Sequence, residues 1–412
     1  MEEVCERDNL ERAWQRVREN KGSPGIDGMT IDQAVGYLRE HWPTLREQLL
    51  EGAYQPQPVK RVEIPKPDGG VRKLGIPSVV DRLIQQALLQ VLQRRWDPTF
   101  SEQSYGFRPG RSAHQAVAQA QAFVAEGYQW VVDIDLEKFF DRVNQDRLLA
   151  RVAERISDKR VLKLIRAFLK AGVMEDGLVS PTDEGTPQGG PLSPLLSNLV
   201  LDELDQELTQ RGHRFCRYAD DCNIYVRSSR AGERVLASVR YFLTTKLRLT
   251  VNESKSAVAR PEERKFLGFS IANDGSQRHI APKAIQKFKA RIRELTCRTR
   301  GVSLTMLIEP LARYLIGWRG YFGFCQTPRV LSNLDAWIRR RLRMYLWRQW
   351  LSGRNRFAQL RSHGVPVFGA AVAAGSPTGM WRMSGHPAVQ QALRNAYFDS
   401  VGLPRVAASS NA

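Results

Sequence analysis

The sequence offers no apolar stretch of membrane-spanning length and no signal peptide; its first residues, MEEVCERDNLERAW, read as charged helix. A membrane partner is therefore not expected, and the chain is predicted to be soluble and cytoplasmic. Cysteine is scarce and badly spaced for covalent or metal work. The five thiols, at positions 5, 216, 222, 297 and 325, form no C-x-x-C pair and leave an odd count. A disulfide framework and a zinc site are both disfavoured, and packing in a reducing compartment is the expected role. There is no internal repeat. The one small-residue tract, FGAAVAAGSPTG at 368–379, is predicted to be a linker. Acidic residues are in deficit: 43 Asp and Glu against 62 Lys and Arg give a net charge of +19. That imbalance points to a polyanionic partner. It is also local, since residues 281–360 hold 17 basic and 3 acidic side chains.

What is present is ordinary globular composition, 42% apolar and 25% charged, over 412 residues. That length suits two or three domains with sizeable cores. Residues 4–20 and 31–50 read as helices around the Gly/Pro loop NKGSPGIDGMT. RVEIPKPDGGVRKLGIP reads as a hairpin turning at Asp68, Gly69 and Gly70. Apolar positions 83, 84, 87, 88, 91 and 92 mark a helix stopped by Pro98, and Ser112 caps another ending near Gly127. YQWVVDIDLEKFFDRV passes from buried strand to helix beyond Asp141. Helices over 145–155 and 158–171 precede a Gly/Pro loop and a long helix. A hairpin, a helix through Leu247 and a strand pair around LTV and KFLGFSI follow. From about 283 the pattern is almost wholly helical. Helix and strand mix without regular alternation, so the fold class is α+β.

CRYADDCNIYV, residues 216–226, places Asp220 and Asp221 between two β segments. Alone, two aspartates at a hairpin are ordinary turn residues. Here flanking Phe215, Tyr218, Ile224 and Val226 carry a half-buried strand pattern, so the pair is held in place. Two rigid carboxylates repel unless a cation neutralises them, and Mg²⁺ suits carboxylate oxygen. VVDIDLEKFFD adds Asp135 at the end of a separate apolar strand, with the carbonyl of Leu136 available to the same metal shell. Three aspartates on adjoining strands can supply the ligands of two-metal phosphoryl chemistry.

RYADD, DLEKFFD, TPQGGPLSPLLSN, SYGFRPGRSAHQA, NKGSPGIDG and KFLGF stand in the order found in group II intron-encoded reverse transcriptases, and the chain resembles most the compact class serving group IIC introns. The resemblance extends from about residue 8 to near the C-terminus. It implies a right-hand polymerase: fingers and palm of mixed helices and antiparallel sheet over 1–278, then an α-helical thumb (maturase or X domain) over 279–368. A short DNA-binding extension over 369–412 follows. It implies that Asp135, Asp220 and Asp221 hold two Mg²⁺ ions, with Mn²⁺ as a substitute. Lys66 and Arg72 would grip the incoming triphosphate, Phe140 would exclude a ribose 2′-OH, Gln188 would line the nucleotide pocket and Lys255 would protonate leaving pyrophosphate. Arg108 and Arg111 would contact the template–primer, and Phe266, Leu267 and Gly268 of KFLGF would form the primer grip. Many relatives append an HNH endonuclease with cysteine pairs; this sequence shows none, so second-strand cleavage is not expected of it.

RYLIGWRGYFGF and WIRRRLRMYLWRQW interleave arginine with aromatics, a composition suited to phosphate contact and base stacking. Arg339, Arg340 and Arg341 are accordingly expected on the nucleic-acid surface, while the aromatics form the helical core. The expected activity is RNA-directed DNA synthesis from an RNA template, a DNA primer and deoxynucleoside triphosphates. Binding of the intron RNA and of target DNA, in support of splicing and retrohoming, is expected with it. Two other readings stay open at this point: an RNA-binding splicing maturase with a dead polymerase, and a domesticated polymerase in DNA repair or defence.

Overall fold

The computed structural model describes residues 1–65, 70–175, 178–180, 185, 189–297 and 301–407, without the side chains of residues 72, 175, 178 and 179. The chain divides into two compact units, Met1–Arg260 and Pro261–Ala412.

In the first unit, β1 (Val59–Pro65) and β2 (Val71–Ile76) form the expected antiparallel hairpin, with Pro65 opposite Val71; its turn lies outside the described residues. β3 follows (Trp130–Ile134). The short strands β4 (Val173–Glu175) and β5 (Leu178–Ser180) extend the first hairpin into a sheet of order β2-β1-β4-β5. Next come β6 (Arg214–Tyr218), β7 (Asp221–Val226) and β8 (Ala257–Ala259). With β3 they build a second, antiparallel sheet of order β6-β7-β3-β8. The long helix Ser193–Gln210 buries Leu195, Leu199 and Leu208 in the core shared with this sheet.

Local signals account for most helix limits. Ser112 accepts from the Gln115 N–H while the Gln115 side chain reaches back to Ser112, a full capping box that starts Ala113–Ala125 where the sequence predicted. Thr30 and Gln33 do the same for Ile31–Glu51. The helix marked by apolar positions 83 to 92 spans Val79–Trp96, and Ser78 caps its start through the Asp81 N–H.

In the second unit, β9 (Phe269–Ile271) pairs with β10 (Arg278–Ile280), and helices Pro282–Leu295, Leu304–Phe322 and Pro328–Gln349 lead a helical remainder. Two expectations are corrected here. The LTV segment forms no strand with KFLGFSI: Val251 makes a single bridge to Leu136 in the first unit, and the partner of β9 is β10. The predicted linker at 368–379 is in its first half a helix, Val367–Ala374, whose Ala370 and Ala373 are fully buried. Residues 261–278, with β9 and β10, lie in the second compact unit. Among the described residues no helix is long and apolar enough to cross a membrane, and no disulfide forms; Cys5, Cys216 and Cys222 are buried.

Candidate active site

β6 and β7 are joined by a two-residue hairpin, with Tyr218 opposite Asp221 and Ala219 and Asp220 between. Ala219 takes φ +57°, the positive φ that a two-residue hairpin demands at its first central position. A residue with a Cβ resists that conformation, so the surroundings must enforce it. Gly106 packs directly beneath: a Cβ there would lie 2.3 Å from the Ala219 nitrogen, so only glycine fits. Asn198 Nδ2 donates to the Gly106 carbonyl at 2.8 Å, fixing the loop against the turn.

Arg217 completes the clamp from within. Its side chain has no exposed surface. Nε and Nη2 form a fork onto both Asp205 oxygens at 2.7 and 2.6 Å. Nη1 donates to Asn198 Oδ1 at 3.0 Å and to the Ala219 carbonyl at 2.9 Å, and Nη2 also reaches Ser104 Oγ at 2.8 Å. Burial alone would strip charge from the guanidinium; the Asp205 carboxylate outweighs it and lifts the pKa above the ordinary arginine value. Sequence reasoning missed this residue, since arginine is seldom fully buried. The available signal was its position mid-strand, beside Phe215 and Cys216.

Asp135 follows β3. The β3–β7 register pairs Ile134 with Cys222, so one further step brings Asp135 level with Asp221. The backbone after β3 is held by the 250–256 segment: the Asp135 N–H donates to Ser256 Oγ at 3.0 Å, the Asn252 N–H to the Asp135 carbonyl at 2.8 Å, and the Glu137 N–H to the Thr250 carbonyl at 2.8 Å. Those bonds belong to Asp135 and Glu137, leaving the Leu136 carbonyl outside the bridge to Val251. Lys255 Nζ lies 3.7 Å from Asp135 Oδ2, so the expected pyrophosphate lysine stands beside an expected metal ligand. Among the described residues, no three His, Cys, Asp or Glu side chains converge into a closed metal cage. The donor set is nonetheless all oxygen, carboxylates and a carbonyl, as Mg²⁺ prefers.

Phe140 lies in the short helix Phe139–Arg142, half-buried and edge-on to the buried Phe139 at 5.3 Å. Behind it Gly185 approaches so closely that a Cβ would lie 2.7 Å from the Phe140 carbonyl, at φ +86°. The Gly185 N–H donates to the Val143 carbonyl at 2.8 Å, which ties one end of the EGTPQGG loop to the aromatic turn. Lys66, Gln188 and the Arg72 side chain lie outside the described residues; the backbone of Arg72 pairs with Ile64.

Three of the arginines expected at nucleic acid have partners within the protein. The Arg108 side chain is 4% exposed and is bonded to Asp97 and to the Ser101 and Ser104 carbonyls, so its fork is used inside the protein. Arg339 is 3% exposed and lies between Asp335 and Asp399. Arg341 donates to Thr296 Oγ1 at 2.9 Å, and burial lowers its pKa. Arg340 packs 4.2 Å over Trp381, and Arg111 pairs with the exposed Glu102 at 2.7 Å. In the second unit KFLGF makes a tight turn: Phe266 and Phe269 exchange backbone bonds around Leu267 (φ +52°) and Gly268. Tyr321 Oη donates to the Leu267 carbonyl at 2.7 Å, and the buried Phe269 is ringed by Tyr321, Phe322 and Phe324.

Comparison with known proteins agrees with this geometry. Residues 64–271 match the reverse transcriptase (RNA-dependent DNA polymerase) family, and residues 285–364 match the group II intron maturase-specific domain. Protein YkfC of Escherichia coli (strain K12) is 35% identical over 60% of this chain and 76% of its own length. The group II intron-encoded protein LtrA of Lactococcus lactis subsp. cremoris is 38% identical over 50% of this chain and 34% of its own. The putative COX1/OXI3 intron 1 protein of Saccharomyces cerevisiae is 25% identical over 77% and 44%. The chain thus spans about a third of LtrA. With the paired aspartates on a β hairpin and a helical unit later in the sequence, the chain belongs to the reverse transcriptase family, among the members that carry a group II intron maturase domain.

Proposed function

We propose that this chain copies RNA into DNA by two-metal nucleotidyl transfer, and that it binds a group II intron RNA, of the IIC class by resemblance, to assist splicing and retrohoming into target DNA. The observation that carries the reading is the register that sets Asp135 level with Asp221, beside a clamped turn bearing Asp220. Asp135, Asp220, Asp221 and the Leu136 carbonyl would hold the metal. Two Mg²⁺ ions, or Mn²⁺ in their place, would there activate the primer 3′-OH and stabilise the leaving oxygen. Phe140 closes the space beside the sugar, so that a 2′-OH is excluded. Lys255, beside Asp135, carries a proton that it can donate to departing pyrophosphate. Lys66, Arg72 and Gln188 are assigned to the incoming deoxynucleoside triphosphate on sequence grounds. Residues 1–278 are assigned to the fingers and palm, 279–368 to the maturase thumb and 369–412 to a DNA-binding extension, on sequence grounds.

Asp220→Asn and Asp135→Asn test this directly. Each is expected to lower primer extension on an RNA template by on the order of 100-fold or more, with template–primer affinity retained. Extension within a few-fold of the parent would overturn the assignment.

A further inference from the structure

A second basic site lies in the first unit, away from the aspartates. At the far end of the palm sheet, a cavity of about 580 Å³ is lined by Tyr128, Arg211, His213, Arg214, Arg227 and Arg234, with no carboxylate among its lining residues. β7 runs from Asp221 to Val226, so the cavity stands about 17 Å along the strand from the catalytic hairpin. Arg214 reaches it from the start of β6, opposite Tyr225. Arg227 lies 4.8 Å over the Tyr128 ring. The guanidiniums of Arg227 and Arg214 both bond the Tyr128 phenol oxygen and hold its pKa below the ordinary value. Arg211 has Glu207 as an ion-pair partner; among the described residues no carboxylate pairs with Arg214, Arg227 or Arg234.

This clustering is not a by-product of overall charge. Residues 1–260 hold 38 Lys and Arg against 36 Asp and Glu, almost neutral, so uncompensated arginines in one cavity are a local feature. Two guanidiniums converging on a neutral phenol are a poor way to satisfy charge and a good way to pre-arrange it for an anion. We propose that this cavity is an auxiliary RNA site, which takes the phosphodiester backbone of RNA lying outside the polymerase cleft through Arg214, Arg227 and Arg234. The planar forks match phosphate, and the Tyr128 face offers a surface for a sugar or base. The inference rests on the RNA-binding reading above and adds to it a surface remote from the catalytic hairpin.

The test uses the full chain and a fluorescein-labelled, blunt-ended RNA hairpin with no primer terminus, titrated across a range of salt. Arg227→Gln/Arg234→Gln is expected to weaken hairpin binding about tenfold near 0.15 M salt and to make the salt slope shallower by about 1.4–1.8, because two fewer phosphates are neutralised. Primer extension with saturating template–primer should stay at the parent's rate. Arg227→Lys/Arg234→Lys, which keeps the charge, should keep most of the slope. Parent-like affinity and slope in the glutamine variant would overturn the site. Equal losses in the lysine and glutamine variants would also overturn it, since packing would then be the cause. Displacement of the hairpin by poly-glutamate from the parent but not from the glutamine variant would reassign the cavity to an acidic protein. A parent that fails to bind the hairpin at all would instead strike at the RNA-binding reading itself.

Discussion

Arg217 uses all five of its N–H groups inside the protein, and one of them is aimed at the carbonyl of the strained residue before Asp220. It is a positioning residue: it reaches the chemistry only through the backbone of the turn. Arg217→Lys keeps the charge beside Asp205 but has three donors on a flexible stem, so the bonds to Ala219, Asn198 and Ser104 cannot all be remade. The variant is expected to be less stable by roughly 2–4 kcal/mol and, where it is still folded, to need several-fold more Mg²⁺ for half-maximal primer extension. Ser104→Ala, which removes one bond to Arg217 and leaves its bond to the Ala219 carbonyl, should lose some stability and keep the parent's Mg²⁺ dependence. An unchanged Mg²⁺ requirement in Arg217→Lys would reduce Arg217 to a core ion pair. The aspartates themselves were legible in the sequence because charge in an apolar strand pattern stands out. Arg217 and Gly106 were not, because what matters there is contact between segments about 110 residues apart.

Among elements, helix Pro328–Gln349 shows best what a linear pattern conveys and what it conceals. Its helical period was readable, and so was the interleaving of arginine with aromatics. Which arginines turn inward was not, since that depends on the C-terminal segment that packs on it: Asp399 meets Arg339, and Asp335 accepts from the Val406 and Ala407 N–H groups. The same limit explains the misread tract at 368–379. Small residues suggested a linker, yet alanine is the strongest helix former, and Ala370 and Ala373 let Val367–Ala374 pack closely. LTV was paired with the wrong segment because a three-residue apolar run carries no partner information. Arg339→Met should therefore lower stability by roughly 1–3 kcal/mol: Asp335 loses its guanidinium and keeps only the Val406 and Ala407 N–H groups, while Asp399 keeps Arg405. It should leave the affinity and salt slope of RNA binding at the parent's values. Thermal melting beside a salt titration decides the matter: a stable variant with a shallower slope would return Arg339 to the nucleic-acid surface.

Across the whole molecule, charge and chemistry are segregated. Residues 1–260, with the aspartate hairpin, hold 38 basic and 36 acidic side chains, whereas residues 261–412 hold 24 and 7. Almost all of the net charge of +19 therefore sits in the helical unit that matches the maturase domain. Within that part Arg339 is buried and Arg341 half-buried against Thr296, while helix Pro282–Leu295 presents exposed Lys283 and Lys287 one turn apart. Spaced at i and i+4 they share a face, and neither ammonium is needed to hold the helix, which buries Phe288, Ile292 and Leu295 instead. Lys283→Gln/Lys287→Gln is thus expected to fold normally, to bind RNA of any sequence less tightly, and to make the salt slope shallower by about 1.4–1.8 if each lysine meets one phosphate. Extension rate at saturating template–primer should hold, because counterion release governs affinity and not the chemical step. The readout is the logarithm of affinity against the logarithm of salt for the parent, this variant and Arg339→Met. A flat difference between the parent and the lysine variant would move the electrostatic grip off this helix, to the exposed Arg329, Arg348 and Arg354 of the same unit.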